Sequence, residues 1–214
     1  MSELTGYFVY KNHIAMQHED ALQAFKEFIS VNKPQRILEI GTADGGLTLA
    51  LRNILDEMGM STVPIRSFDV QSRPAYDLLI SQNIEIIVEN LFDESYTRLI
   101  KPDLVIPFIQ APGITLVLCD GGYKVGEFHV LAPLIKPGDF IMAHDYIDTV
   151  ENFQNHYYGK IWDWQEVKDS DLDSVSQEYG LVDVNQDQFK PVVWACKRKK
   201  RRRKLSTKGV ESIA

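Results

Sequence analysis

The hydrophobic and polar positions along the chain alternate between short β-rich runs and longer stretches with helical spacing. In residues 18–32 the apolar side chains of Phe25, Phe28 and Ile29 recur at helical spacing, and Pro34 follows, which predicts an amphipathic helix. Five β-rich runs come next, and each predicts a strand. They are RILEI (36–40), VPIRSFDV (63–70), IEIIVEN (84–90), ITLVLCD (114–120) and DFIMAHD (139–145).

Stretches with helical spacing lie between these strands, at 47–58, 74–82, 94–109 and 124–135. This alternation predicts a parallel sheet that is covered by helices on both faces. The end of the chain differs, because helical stretches at 149–158 and 170–180 are followed by two β-rich runs, LVDVN (181–185) and VVWACK (192–197). Only six residues separate these two runs, which is too short for a parallel crossover and predicts an antiparallel hairpin. The predicted fold class is therefore α/β, with a doubly wound, mostly parallel seven-stranded sheet, helices on both faces and a C-terminal antiparallel hairpin.

The composition is that of a globular protein with one well-buried core. The chain has 214 residues, of which 44% are hydrophobic and 25% charged. No apolar run approaches the roughly 20 residues of a membrane-spanning helix, and the N-terminus lacks the order of a signal peptide. The two cysteines, Cys119 and Cys196, lie in apolar segments and are expected to be reduced. A cytoplasmic protein is the expectation.

Charge divides the chain into an acidic body and a basic tail. Residues 1–196 contain 14 Lys and Arg against 29 Asp and Glu, whereas 197–204 read KRKKRRRK. Eight like charges predict a solvated segment. The acidic body argues against a broad nucleic-acid surface, but the tail leaves open a contact with nucleic acid, a membrane surface or an acidic partner. Whether the chain forms an oligomer is also left open by the sequence.

The pattern predicts three parts: an N-terminal helical cap segment at 1–35, an α/β domain at 36–197 and a flexible basic tail at 198–214. In open α/β sheets, ligands bind beyond the carboxyl ends of the strands. Glycines follow the first strand of the domain at 41, 45 and 46, and Asp69 ends the second, where an acid can accept hydrogen bonds from ribose hydroxyls. Glu39 disfavours a pyrophosphate at the glycine turn, because its carboxylate would repel the phosphates.

The run EIGTADG (39–45) resembles the first motif of the class I S-adenosylmethionine-dependent methyltransferases, which is an acid, any residue, glycine, three residues and glycine. The C-terminal hairpin is similar to the last two strands of that family. The resemblance spans roughly residues 20–197 and implies a Rossmann-like methyltransferase fold with S-adenosylmethionine as the cofactor. The residues that it implies for cofactor binding are Glu39, Gly41, Thr42, Gly45, Asp69, Asn90 and Asp120.

A narrower resemblance is carried by LCDGGYK (118–124) and IKPGDFIMAHDY (135–146) together with the glycine turn. These segments look like the small metal-dependent O-methyltransferases, the group with cephalosporin-biosynthesis methyltransferase-like proteins and macrolide-sugar O-methyltransferases. That resemblance implies a divalent metal, Mg²⁺ or Mn²⁺, held by Asp120, His144 and Asp145. His144 departs from the family, which has an acid at this position, and a histidine favours a transition metal over magnesium.

Each of these residues also has a purely structural interpretation. Asp120 could cap the following helix, Asn90 could form a turn, and His144 could be a hydrogen-bonded histidine at the sheet edge. For the catalytic base, Lys124 and His144 are rival candidates.

The predicted function is methylation of a hydroxyl on a small-molecule or sugar-like acceptor by an S-adenosylmethionine-dependent O-methyltransferase, with assistance from a metal. Two alternatives remain from the sequence. One is a catalytically impaired binding or scaffold protein with the methyltransferase fold that acts through the basic tail. The other is a nucleic-acid methyltransferase.

Overall fold

The computed structural model describes residues 7–201 of the chain. These described residues form nine strands: β1 Phe8–Tyr10, β2 His13–Ala15, β3 Arg36–Ile40, β4 Ile65–Asp69, β5 Ile84–Val88, β6 Thr115–Cys119, β7 Phe140–Ala143, β8 Leu181–Asp183 and β9 Ala195–Lys199. The α-helices are α1 Ala21–Asn32, α2 Gly46–Glu57, α3 Tyr76–Ser81, α4 Pro102–Gln110, α5 Lys124–Leu131, α6 Val150–Asn152, α7 Asp169–Tyr179 and α8 Gln186–Phe189. A π-helical turn, Phe153–Tyr157, continues α6, and a 3₁₀ turn, Lys190–Val192, continues α8.

Seven strands form one sheet in the order β5-β4-β3-β6-β7-β9-β8. Strands β3 to β7 pair in parallel, and β9 pairs antiparallel with both β7 and β8. Every residue of β3, β6 and β7 is buried, which explains why these strands read as continuous apolar runs. The predicted α/β fold, with its seven strands and C-terminal antiparallel hairpin, is confirmed.

Helices cover both faces of the sheet. On one face, α1 and α2 enclose an aromatic cluster in which the Phe28 ring lies 4.9 Å from Phe140 and the Phe25 ring lies 5.5 Å from Trp194. On the other face, α4, α5 and α7 pack through residues such as Phe128. The core therefore lies in two layers, one on each side of the sheet. Among residues 7–201, no helix is long and apolar enough to span a membrane.

The N-terminal segment contains structure that the sequence pattern did not predict. Strands β1 and β2 form an antiparallel hairpin ahead of the predicted helix, which is observed as α1. The hairpin lies against the start of α2, where a Cβ on Gly46 would come 2.6 Å from the backbone of Ile14 and Ala15. In its described part, residues 7–35, the predicted helical cap segment therefore contains a β-hairpin as well as a helix. The hairpin also carries Gln17, two residues beyond it, to the carboxyl edge of the sheet.

The C-terminal hairpin is shifted from its predicted position. Strand β9 begins three residues later than expected and runs two residues past the predicted domain boundary at 197. Lys197 is buried and pairs with Asp183 at 2.7 Å, and the guanidinium of Arg198 lies over the Phe140 ring. The first basic residues of the tail therefore belong to the sheet. Residues 202–214 of the predicted tail lie outside the described residues, and its role and the division into three parts stay predictions.

Candidate active site

The glycine turn after β3 brings two backbone segments into close contact. Gly41 has a φ of +92°, and a Cβ at this position would lie 2.1 Å from the carbonyl oxygen of Asp120, which follows β6. Only glycine fits here, because a side chain would meet backbone rather than a movable side chain. Gly45, with a φ of +77°, precedes α2, and the Thr42 hydroxyl lies 2.6 Å from that of Ser67. The turn thus positions the loops after β3 and β6 side by side.

Glu39 lies beneath this turn. Its Oε2 accepts hydrogen bonds from the hydroxyls of Thr48, at 2.7 Å, and Ser67. Burial raises the pKa of Glu39 to about 7, although these two hydrogen bonds oppose the shift. Glu39 lines neither of the two cavities of the site. The structure therefore places it as a support for the turn, and the direct cofactor contact expected from the sequence stays a prediction.

A first cavity of about 220 Å³ lies beyond the ends of β3, β4, β5 and β6, and we call it the acidic cavity. Four carboxyl groups line it, from Asp69, Glu89, Asp120 and Glu127, and its described lining contains no Lys, Arg or His. Such a wall repels phosphate groups and favours a ligand that carries positive charge.

Four predicted cofactor residues line the acidic cavity: Gly41, Asp69, Asn90 and Asp120. The Asp69 carboxylate accepts hydrogen bonds from the backbone N–H of Ala43, at 2.8 Å, and of Gln71, at 2.9 Å. The Asn90 side chain accepts from the backbone N–H of Phe92 at 3.2 Å. Asn90 therefore forms a turn and also lines the cavity, so its structural role in the turn is compatible with the predicted contact to the cofactor.

The sequence interpretation missed Glu127, which lies in the first turn of α5. Its carboxylate accepts hydrogen bonds from the backbone N–H groups of Gly121, at 3.0 Å, and Tyr123, at 3.1 Å. Burial raises the pKa of Glu127 to about 7 despite these bonds. An acid in the first turn of a helix is a recognisable signal for binding of free N–H groups. Here it fixes the loop between the two cavities.

A second cavity of about 410 Å³ adjoins the first, and we call it the aromatic cavity. The two cavities share Gly41, Ala43, Asp120 and Gly121. Tyr7, Trp162 and Trp164 form aromatic walls, and the apolar side chains of Ile14 and Met16 line it as well. These aromatic walls come from the N-terminal segment and from the irregular stretch before α7.

The three predicted metal ligands come together in the aromatic cavity. His144 Nδ1 lies 2.9 Å from Asp120 Oδ1 and 3.4 Å from Asp145 Oδ1. Because carboxylate oxygens only accept, Nδ1 carries a proton. Burial favours the neutral imidazole, but the charges of Asp120 and Asp145 outweigh burial and raise the pKa of His144 above its ordinary value. Nε2 of His144 is buried and has no hydrogen-bond partner among residues 7–201.

Lys124 also reaches this cluster. Its ammonium lies 3.0 Å from Asp145 Oδ2 and 3.2 Å from Glu166 Oε2, and it donates to the carbonyl of Gly121 at 3.1 Å. Burial alone would lower the pKa of Lys124, but the charges of Asp145, Asp120 and Glu166 outweigh burial and raise it. Lys124 is therefore a cation at neutral pH, which disfavours it as a proton acceptor.

Three residues of this network were not selected from the sequence. Gln17 Nε2 donates to Asp120 Oδ2 at 2.7 Å, Trp162 Nε1 donates to Asp145 Oδ1 at 2.7 Å, and Glu166 accepts from Lys124. Gln17 and Glu166 lie in segments without a regular pattern, so no spacing in the sequence selects them.

These contacts decide whether Asp120, His144 and Asp145 can bind the predicted metal ion. Both carboxylate oxygens of Asp120 and both of Asp145 are already engaged by a donor or cation of the chain. Within the part of the chain that the structure describes, no group of three or more His, Cys, Asp and Glu side chains is arranged to hold a metal ion. In this arrangement the cluster does not fit a divalent ion, which needs several free oxygen lone pairs.

Known structures with the same topology identify the fold. CmcI in its ligand-free form aligns with a TM-score of 0.63 at 12% identity, over 91% of this chain and 76% of that one. The chain has the methyltransferase fold. A form of CmcI with Mg and SAM aligns with a TM-score of 0.56 at 12% identity, over 91% and 77% of the two chains. A Staphylococcus aureus protein assigned as a caffeoyl-CoA O-methyltransferase aligns at 0.54 with 16% identity, over 84% and 82%. No family model and no curated protein matches the sequence.

Proposed function

We propose that this chain is an S-adenosylmethionine-dependent O-methyltransferase that acts on a hydroxyl group of a small molecule. The observation that carries the proposal is the pairing of the two cavities at Gly41 and Asp120. One has four carboxyl groups and suits a cationic donor. The other has aromatic walls and a cluster of ionisable groups, and it suits an acceptor.

S-adenosylmethionine matches the acidic cavity in charge. The donor carries a sulfonium, an ammonium and a carboxylate, so its net charge is positive and it has no phosphate. It therefore avoids the repulsion that a dinucleotide or ATP would meet from Asp69 and Glu89. Asp69, at the end of β4, would accept hydrogen bonds from the ribose hydroxyls on the lone pairs that the N–H groups of Ala43 and Gln71 leave free. Asn90 and Phe92 line the same cavity where the adenine would lie. The sulfonium would then lie near Gly41, where the two cavities meet.

The acceptor would enter the aromatic cavity. Tyr7, Trp162 and Trp164 provide flat apolar surfaces for a ring, and His144 and Lys124 provide polar groups at its wall. A cavity of about 410 Å³ suits a small molecule rather than a folded partner.

The transfer is an in-line displacement. The acceptor oxygen forms a bond to the methyl carbon, the carbon–sulfur bond breaks, and its electron pair stays on sulfur to give a neutral thioether. The hydroxyl proton must leave. The neutral form of His144 is the group of this chain that fits, because the residue lines the acceptor cavity and its Nε2 has no partner among the described residues while Asp120 accepts from Nδ1. The raised pKa of His144 means that this neutral form becomes more abundant as the pH rises.

Calorimetric titration tests this function. We expect purified protein to bind S-adenosylmethionine and S-adenosylhomocysteine, and to bind NAD⁺ and ATP at least about tenfold more weakly because of the carboxyl groups. Asp69→Asn should weaken donor binding, whereas Asp77→Asn, at an exposed position of α3, should not. Equal affinity for NAD⁺, or no binding of the donor, would refute the proposal. Transfer of a labelled methyl group to a panel of phenols and sugar-like alcohols, read by mass spectrometry, then identifies the acceptor class.

A further inference from the structure

The Lys124 ammonium contacts three acceptor oxygens. Asp145 Oδ2, Glu166 Oε2 and the Gly121 carbonyl lie 3.0, 3.2 and 3.1 Å from Nζ. An ammonium has three N–H bonds, so these three acceptors satisfy it. The backbone N–H of Lys124 also donates to Glu166, at 2.6 Å, which fixes the start of α5 to the same carboxylate. Lys124 is thus held at two points rather than extended into solvent.

The carboxylate oxygens that Lys124 does not reach are held by other buried donors. Trp162 Nε1 occupies Asp145 Oδ1, and Gln17 Nε2 occupies Asp120 Oδ2. Gln17 cannot turn its amide to release Asp120, because its own oxygen accepts from Trp194 Nε1 at 2.8 Å. A divalent ion at this place would have to displace the ammonium and leave one or more of these donors buried without a partner, which is costly.

We propose that Lys124 is a built-in cation that occupies the place of a divalent metal, so that this chain binds its donor and holds its acceptor without a metal ion. A fixed ammonium and a divalent ion both neutralise adjacent carboxylates, but the lysine needs no free coordination site. Its charge borders the aromatic cavity, where it would stabilise the negative charge that develops on an acceptor oxygen. This last role rests on the proposed function, whereas the replacement of the metal does not.

Titration with Mn²⁺ tests the replacement directly. Protein that has been treated with a chelator is titrated with Mn²⁺, and the free ion is followed by electron paramagnetic resonance. We expect no stoichiometric binding below about 1 mM Mn²⁺, because no group of acidic, His and Cys side chains among residues 7–201 is arranged to hold the ion. One Mn²⁺ bound per chain at micromolar concentration, and lost in Asp145→Asn, would overturn the proposal. Donor binding is measured separately, so its failure would affect the proposed function and leave this result intact.

The role of the lysine itself is tested by Lys124→Met, which removes the charge and keeps most of the side-chain volume. We expect the variant to bind Mn²⁺ at least about tenfold more tightly than the wild-type chain, since two carboxylate oxygens are released. Lys136→Met is the matched control, because Lys136 forms a similar ion pair with Asp139 at 2.8 Å and lines neither cavity. A folded Lys124→Met variant that binds Mn²⁺ no more tightly than the wild-type chain would refute the proposal that Lys124 excludes the metal. Should that variant not fold, the wild-type titration still decides.

Discussion

His144 Nδ1 lies 2.9 Å from Asp120 Oδ1, and this contact joins the ends of two neighbouring parallel strands. The same carboxylate accepts from Gln17 on its other oxygen, and Gln17 in turn accepts from Trp194 next to β9. Asp120 therefore links the N-terminal segment, two central strands and the C-terminal hairpin through hydrogen bonds alone. Both of its carboxylate oxygens act as acceptors.

Asp120→Asn should destabilise the fold, because an amide offers one acceptor where two donors now meet. Whichever way the new amide turns, its NH₂ group faces either His144 Nδ1 or Gln17 Nε2. We expect a loss of about 1–3 kcal/mol in the free energy of unfolding, measured with urea. Asp103→Asn, at an exposed site in α4, should change it by less than about 0.5 kcal/mol. Equal stability of the two variants would show that this network contributes nothing.

The strand ends could be predicted from the sequence because buried parallel strands read as apolar runs that stop at the ligand edge. That rule alone brought Asp69, Asp120 and His144 to one edge of the sheet, where the structure has them. It could not show which way a side chain points. Glu39, the fourth residue of β3, lines neither cavity and instead accepts hydrogen bonds from the Thr48 and Ser67 hydroxyls beneath the glycine turn.

The partners of these residues could not be predicted, because they come from segments without periodicity. Gln17 follows a three-residue strand, and Glu166 and Trp162 lie in the irregular stretch before α7. Such short segments take their positions from tertiary contacts rather than from local propensity. The prediction that the whole basic run is solvated was wrong for a related reason. Its charges indicated a solvated tail, but Lys197 has an acidic partner in β8 that offsets the cost of its burial.

Gly41→Ala should disrupt the junction between the two cavities. The added Cβ would lie 2.1 Å from the Asp120 carbonyl oxygen, and the residue would keep a φ of +92°. We expect roughly 2–5 kcal/mol of destabilisation and a loss of donor binding, because the loops after β3 and β6 must separate. Gly59→Ala is the control, since its φ is +70° but nothing lies within 4 Å of the new Cβ. It should cost only about 1 kcal/mol, as read by urea unfolding.

Glu39→Gln should remove a pH-dependent loss of stability. Burial raises the pKa of Glu39 from 4.5 to about 7 in the folded chain. Between these values the unfolded chain has lost the proton and the folded chain keeps it, so stability falls as the pH rises through this window. The contribution at pH 8 is roughly 3 kcal/mol.

Urea unfolding at pH 4 and pH 8 measures this effect. The difference in stability between Glu39→Gln and the wild-type chain should shift in favour of the variant by about 3 kcal/mol from the lower to the higher pH. Glu127, whose pKa is also about 7, keeps part of the slope in both proteins. Glu94→Gln, at an exposed position, should follow the wild-type curve. A difference that stays constant with pH would mean that Glu39 is ionised in the folded chain.

Truncation separates the sheet from the rest of the basic run. Removing residues 202–214 leaves every described contact in place and should shift the melting temperature by less than about 2 °C. Removing 197–214 takes away Lys197, Arg198 and Lys199, which supply all the strand pairing of β8 and half of that between β9 and β7. We expect this longer truncation to unfold at room temperature or to lose several kcal/mol of stability. A role of the tail in partner binding can therefore be tested only with the shorter truncation, because the longer one would abolish binding by unfolding the C-terminal hairpin. Equal melting curves for both truncations would show that β9 does not need its basic end.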